Sequence, residues 1–342
     1  MGPLNFMDKC FLLAALILIP AAHSLPPPES TESTEPKSVI AHRGASGKLP
    51  EHTLEAYTLA YGLGADYIEP DLMLTRDGVP IALHDRTLDA TTDVAERFPQ
   101  RAREDGRFYA IDFDLAEIKQ LRVRERVEAA SGELRYPERW DNSHRHLHFR
   151  IATLEEIIEL VQGLNRVTGQ STGIYPEIKF SAWHADQDHD FEAILLDILQ
   201  RHGYETRDDA VIVQSFEPES LLRLRELGCK LRLVQLISGG RAQDALVTDE
   251  GLDHIASYAD GIGPSQARII DDQGKVRPNN LVSAAHQRGL VVHPYTARTD
   301  ALPAGIDSFE QLLDRILFGA GADGIFTDHP KATRKYLQER SR

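Results

Sequence analysis

Tyr67-Ile68-Glu69-Pro70-Asp71-Leu72-Met73-Leu74-Thr75-Arg76-Asp77-Gly78-Val79-Pro80-Ile81-Ala82-Leu83-His84-Asp85 is the stretch that decides the fold. Two apolar runs flank Asp77-Gly78, and an Asp-Gly pair in that setting signals a tight hairpin. A hairpin joins antiparallel strands, so Ile81–His84 is expected to fold back on Tyr67–Leu72. Outward from this stretch, further strand candidates are Val39–Ala41, Gly173–Ile178, Ala210–Gln214, Leu231–Leu236, Asp260–Ile262, Leu290–His293 and Gly324–Phe326. With the first two they make nine, one too many for an eightfold barrel. The hairpin removes the returning strand, and the eight that remain alternate with helical patterns, as parallel βαβ units do. The expectation is an α/β fold: a (β/α)8 TIM barrel with a hairpin flap after strand 2 and a rim insertion before strand 3.

Helical signals fill the intervals. Residues 52–60 follow the first strand, and Thr153 with Glu156 forms a capping box ahead of Ile157, Ile158 and Val161. Pro218 to Gly228 carries Leu221, Leu222 and Leu224 and ends on a glycine stop. Residues 86–150 break the rhythm: rich in charge, aromatics and turn residues, they read as the rim insertion, with a short helix at Leu115–Leu121.

The N-terminus reads as a processing signal. Lys9 precedes the apolar run Phe11 to Ile19, too short to span a bilayer, and Ala22-His23-Ser24 resembles a cleavage site. The expected organisation is a signal peptide over 1–24, a Pro-, Ser- and Thr-rich linker over 25–37, and the barrel over 38–342. A periplasmic or secreted location follows, with no stable membrane insertion after processing. Cleavage would leave Cys229 as the one cysteine, so no intrachain disulfide could form.

The chain has 342 residues, 42% of them hydrophobic, enough for one large core. Lys and Arg total 38 against 53 Asp and Glu, a formal net charge of −15. Such a surface repels nucleic acid, and an anionic substrate would need a positive field built locally.

In a barrel of this kind, reactive groups gather at the C-terminal ends of the strands. His42-Arg43, Glu69 and Asp71, His84-Asp85, Glu177 and Lys179, Gln214 to Phe216, His293 to Tyr295 and Asp328 all fall there. Glu69 and Asp71 are two apart on one strand and point to the same side. With Glu177 they form an all-oxygen set that repels itself unless it holds a hard cation, Mg2+ or Ca2+. Two histidines, His42 and His84, flank the acids and are suited to move protons near neutral pH. Arg43 and Lys179 supply the cationic charge that a phosphoryl group needs. Phe216 and Trp183 are candidates to cover the organic part of a substrate, while His293 and Tyr295 suit either pocket lining or strand-end packing.

The segment IAHRGASGKLPEHTLEAYTLAYGLGADYIEPDLMLTRDGVPIALHD (40–85) resembles the signature region of the glycerophosphodiester phosphodiesterases. YPEIK (175–179), VIVQSF, VVHPYTAR and GIFTDHP extend the likeness over the whole mature chain, and residues 93–113 are similar to the insertion of the periplasmic, GlpQ-type branch. The resemblance implies hydrolysis of deacylated phospholipids to sn-glycerol 3-phosphate and an alcohol. It also implies one divalent cation, Ca2+ ahead of Mg2+, held by Glu69, Asp71 and Glu177. His42 and His84 would be the acid/base pair, and Arg43 and Lys179 would face the phosphate. Water or the substrate's own glycerol hydroxyl could be the nucleophile. A phospholipase of the same barrel type is disfavoured by the acidic charge. A non-catalytic binding protein would lack one of the two histidines or three acids, and all five are present. The head-group alcohol is not legible, and a homodimer is left open.

Three weaker signals have plain readings. His144, His146 and His148 read as an exposed segment of the insertion, and Cys229 as a buried, inert thiol. Gly44-Ala45-Ser46-Gly47 reads as a tight backbone turn beside the phosphate site.

Overall fold

The computed structural model describes residues 1–2, 36–128, 131–143, 146–279 and 281–341. Most of the expected signal peptide and of the linker therefore lies outside the described residues, as does His144. Eleven strands are present among the described residues: β1 (Ser38–His42), β2 (Tyr67–Glu69), β3 (Asp71–Leu74), β4 (Pro80–Ala82), β5 (Gly173–Ile174), β6 (Glu177–Ile178), β7 (Ile212–Ser215), β8 (Arg232–Ile237), β9 (Gly261–Pro264), β10 (Val291–Val292) and β11 (Gly324–Thr327).

They reduce to eight staves. Proline has no N–H to give the ladder, so Pro70 divides β2 from β3 and Pro176 divides β5 from β6. The carbonyls of both prolines still accept: Glu177 N donates to Pro70 O at 2.9 Å and Gln214 N to Pro176 O at 3.0 Å. The pairing orders β11-β1-β2-β5 and β10-β9-β8-β7-β6-β3-β4 thus share two broken staves. The last seam is closed where Asp323 N donates to Val292 O and Phe326 N to Pro294 O, both at 2.9 Å. The chain folds as a (β/α)8 barrel. Several strands are displaced by one or two residues from their expected bounds, because apolar runs mark buried faces rather than the last ladder bond.

Ile40, Tyr175, Ile212, Val234 and Phe326 fill the barrel interior, and a larger cluster including Val39, Ile68, Leu233 and Leu312 packs the staves against the helices. β4 pairs antiparallel with β3, Leu72 opposite Ala82 and Leu74 opposite Pro80. The turn between them needs Gly78, which sits at φ +75°, a conformation that costs any residue with a Cβ about 1–2 kcal/mol. The Met73, Ile81 and Leu83 side chains of this hairpin meet Leu88, Phe108, Phe113 and Phe149 in a separate apolar cluster. Residues 86–150 are thereby seated mainly on the hairpin.

Thr153 and Glu156 do form a capping box, starting the helix Leu154–Thr168. The helix expected from His52 begins at Leu54, because Thr53 is its N-cap and His52 lies at φ +64°. The helix expected over Leu115–Leu121 stops at Ile118. Cys229 is buried, and His146 and His148 are exposed.

Candidate active site

β1, β2 and β3 deliver three groups to the C-terminal rim of the barrel. Register places His42 beside Glu69 and Asp71 beside Glu177. Glu69, Asp71 and Glu177 are all buried, with one oxygen of each within 4.8 Å of the others. Among the described residues they are the one group with the composition and spacing to hold a metal ion.

Their surroundings are built, not incidental. Glu69 Oε2 accepts from the Arg43 backbone N–H at 2.8 Å, and Glu69 Oε1 accepts from Gln214 Nε2 at 3.0 Å. Arg43 turns its N–H inward because its backbone is left-handed, φ +57°, just before Gly44 at φ +87°. Glycine is needed there, since a Cβ on residue 44 would lie 2.8 Å from the Ala56 carbonyl carbon. Asp71 Oδ2 accepts from His52 Nε2 at 3.0 Å, and His52 Nδ1 meets the Tyr57 hydroxyl at 2.8 Å. Burial holds His52 below its usual value despite Asp71, so it is neutral, with Nε2–H donating and Nδ1 accepting. Lys179 Nζ lies 3.1 Å from Glu177 Oε1 and 3.7 Å from Asp71 Oδ1, and Arg43 Nε lies 3.1 Å from Asp71 Oδ2.

The electrostatics of the acids reveal their mutual strain. Burial first, then the charges of Asp71 and Glu177, push Glu69 well above the carboxylate range. Burial likewise drives Glu177 up to about 8; the Lys179 charge opposes this, and Asp71 reinforces it by charge and a shared hydrogen bond. Asp71 goes the other way. Burial opposes its ionisation, but the Lys179 and Arg43 charges hold it well below the usual range. Three acids this close suit a hard divalent cation, and Gln214 Oε1, buried beside Glu69 with no hydrogen-bond partner, adds an orphaned oxygen.

Each histidine is oriented through Nδ1. His42 Nδ1 lies 2.7 Å from Asp328 Oδ1, and His84 Nδ1 lies 2.7 Å from Asp85 Oδ1. That leaves Nε2 of each ring for proton transfer. Burial, then the Arg43 and Lys179 charges, lower His84 to about 4, so it is neutral in neutral solution.

His42, His84, Glu69, Asp71, Glu177, Arg43, Lys179 and Phe216 all line one pocket of about 260 Å³. Tyr295 lines it too, while His293 is packed inside the barrel with Nδ1 3.2 Å from the Tyr175 hydroxyl. Trp183 is not among the lining side chains: it packs on Tyr109 and His184, because the residues after Lys179 turn away as the short helix Ser181–Ala185. The sequence placed Gln214 and Asp328 at the rim without giving either a task, and it gave no sign of Glu51, His52, Arg126 or Arg139 in the site; these complete the arrangement.

Ionisable side chains from several strands gathered at the C-terminal rim, with an acid cluster fit for a cation, define a (β/α)8-barrel enzyme. Residues 42–332 match the glycerophosphoryl diester phosphodiesterase family. The chain is 37% identical to a glycerophosphodiester phosphodiesterase of Haemophilus influenzae over 96% of its own length and 97% of the relative's. A Treponema pallidum protein of the same name is 34% identical, covering 90% of this chain and 93% of that one. Among solved structures, an Oleispira antarctica phosphodiesterase in complex with the product sn-glycerol-3-phosphate shares the fold. It has a TM-score of 0.61 and 23% identity over 89% of this chain and 97% of that chain. The chain therefore belongs to the glycerophosphoryl diester phosphodiesterase family, a family of phosphodiester hydrolases.

Proposed function

We propose that the enzyme hydrolyses glycerophosphodiesters to sn-glycerol 3-phosphate and the free alcohol by general acid/base catalysis with His42 and His84. The observation that carries this is the pair of histidines, each fixed by a carboxylate through Nδ1, flanking a buried three-acid cluster in one pocket. A divalent cation held by Glu69, Asp71 and Glu177 would supply electrostatic stabilisation of charge building on the phosphoryl oxygens. Arg43 and Lys179 hold the phosphate against the acids. His84, kept neutral, accepts the proton of the attacking water or hydroxyl, and His42 donates Nε2–H to the departing alkoxide. Phe216 covers the glycerol carbons. Ca2+ is the cation to test first, ahead of Mg2+, on the likeness of residues 93–113 to the periplasmic branch. The apolar run after Lys9 supports export to the periplasm or beyond, and no helix among the described residues is long and apolar enough to cross a membrane.

The test is release of glycerol 3-phosphate from glycerophosphocholine, with and without exhaustive EDTA treatment. Activity that survives both chelation and His42→Ala overturns the reading. Following ³¹P signals during turnover tests the nucleophile: a transient cyclic phosphate means the glycerol hydroxyl attacks.

A further inference from the structure

The two histidine–carboxylate pairs share a feature that the barrel alone does not provide. Asp328 Oδ2, the oxygen not used by His42, accepts from Arg139 Nη2 at 2.5 Å. Asp85 Oδ2, the oxygen not used by His84, accepts from Arg126 Nη1 at 2.5 Å. Both arginines come from the segment seated on the hairpin, thirteen positions apart, and their side chains are 4% and 6% exposed. Each is anchored a second time. Arg139 reaches Asp300 Oδ2 at 2.8 Å, and Arg126 grips Glu51 through Nε at 3.1 Å and Nη2 at 2.6 Å.

We infer that Arg126 and Arg139 are positioning residues, through which the rim insertion sets the orientation of both catalytic imidazoles. A carboxylate held on one oxygen only can rotate. With a guanidinium on the second oxygen its plane is fixed, and so is the line along which it receives Nδ1–H. Stability alone explains these buried pairs poorly, because desolvating two charges offsets most of their attraction. The arrangement gives the insertion a catalytic consequence although Arg126 does not itself line the pocket. It rests on His42 and His84 being the acid/base pair.

A double-mutant cycle tests it, with glycerophosphocholine as substrate at saturating Ca2+. Arg139→Gln should lower kcat by about 10- to 100-fold with KM within about threefold, the size expected for a group acting through another. Combined with Asp328→Asn it should cost no more kcat than Asp328→Asn alone, and Arg126→Gln should behave in the same way with Asp85→Asn. If the Gln variants do not accumulate folded, Arg→Lys carries the same test, since lysine keeps the charge but lacks the fork. An unchanged kcat, a loss confined to KM, or fully multiplicative losses would each overturn the inference. Wild-type turnover by His42→Ala would instead remove the acid/base reading beneath it, so the two failures are told apart.

Discussion

Glu177→Gln should stabilise the metal-free protein and destabilise the cation-loaded one. Two ionised carboxylates no more than 4.8 Å apart repel by at least about 3.5 kcal/mol at an effective dielectric of about 20, and the cluster has three pairs within that distance. Glu177 avoids this by staying protonated, its value raised to about 8 from 4.5. A carboxyl with a raised folded value contributes stability below pH 4.5 that is lost as pH rises towards 8. At pH 7 the loss is about 3 kcal/mol, from 2.5 pH units at about 1.36 kcal/mol each. Glutamine mimics the neutral acid without that loss, but weakens the contact with Lys179 at 3.1 Å, worth about 1 kcal/mol. The net gain in EDTA is about 2 kcal/mol at pH 7, or roughly 5 °C in Tm, shrinking to near zero at pH 5. With Ca2+ at a thousandfold excess over Kd, wild type gains about 4 kcal/mol by mass action while the variant, with a neutral oxygen in place of one anionic ligand, gains far less. The order of melting temperatures should therefore reverse between EDTA and Ca2+. Destabilisation of the variant in EDTA at pH 7, or a gain that does not change with pH, would refute the reasoning.

His42→Ala and His84→Ala should each lower kcat by about 10²- to 10⁴-fold at saturating Ca2+ with an unchanged circular dichroism spectrum; activity within tenfold of wild type would contradict the assignment. Gly78→Val places a β-branched residue at φ +75° in the turn that returns the chain to His84. It should cost at least about 1–2 kcal/mol in urea unfolding and reduce kcat, and a variant matching wild type in both would show the turn is not needed. His184 is fully buried, and burial, then the His189 charge, lowers it to about 3. Because the unfolded chain takes up the proton first, stability present above pH 6.5 is lost as pH falls towards 3. Between pH 7.5 and 4.5 wild type should lose about 2–3 kcal/mol more than His184→Gln, and equal losses in urea melts would sink this account.

Local chemistry made much of the fold legible. Asp77-Gly78 marks the antiparallel return because its φ requirement is met within four residues, and Thr153 with Glu156 satisfies a helix terminus within one turn. Glu69 and Asp71 were readable because a strand's two-residue period guarantees a shared face. What escaped depends on pairing across the chain. Asp328 lies 286 positions from His42, and Arg126 lies 75 from Glu51, so no window of sequence contains both partners. His52 was hidden differently: it resembles the first turn of a helix, and only its left-handed backbone turns the ring towards Asp71. Trp183 fell outside the pocket because the chain bends away immediately after Lys179.

Charge accounts for how so acidic a protein can receive an anion. The pocket is lined by Glu51, Glu69, Asp71, Glu177 and Asp328 against Arg43, Arg139, Lys179 and Arg298, so with all of them ionised the lining itself is negative by one unit. A phosphodiester also carries one negative charge, and the metal-free pocket escapes repelling it only while Glu69 and Glu177, both raised by burial, keep their protons. A divalent cation on the three acids, all ionised, gives the same lining one positive unit and matches the substrate. Glu51 and Asp328 are already spent on arginines, which leaves the three-acid cluster as the part of the lining whose charge a cation changes. Binding of the diester and occupancy of the acids should therefore be coupled where the metal-free acids are ionised: at about pH 9, above the value of about 8 to which Glu177 is raised, inorganic phosphate or a glycerophosphodiester should bind detectably with Ca2+ present and lose most of its affinity in EDTA. Equal affinity in the two conditions would place the phosphate on Arg43 and Lys179 alone and detach the acids from substrate recognition.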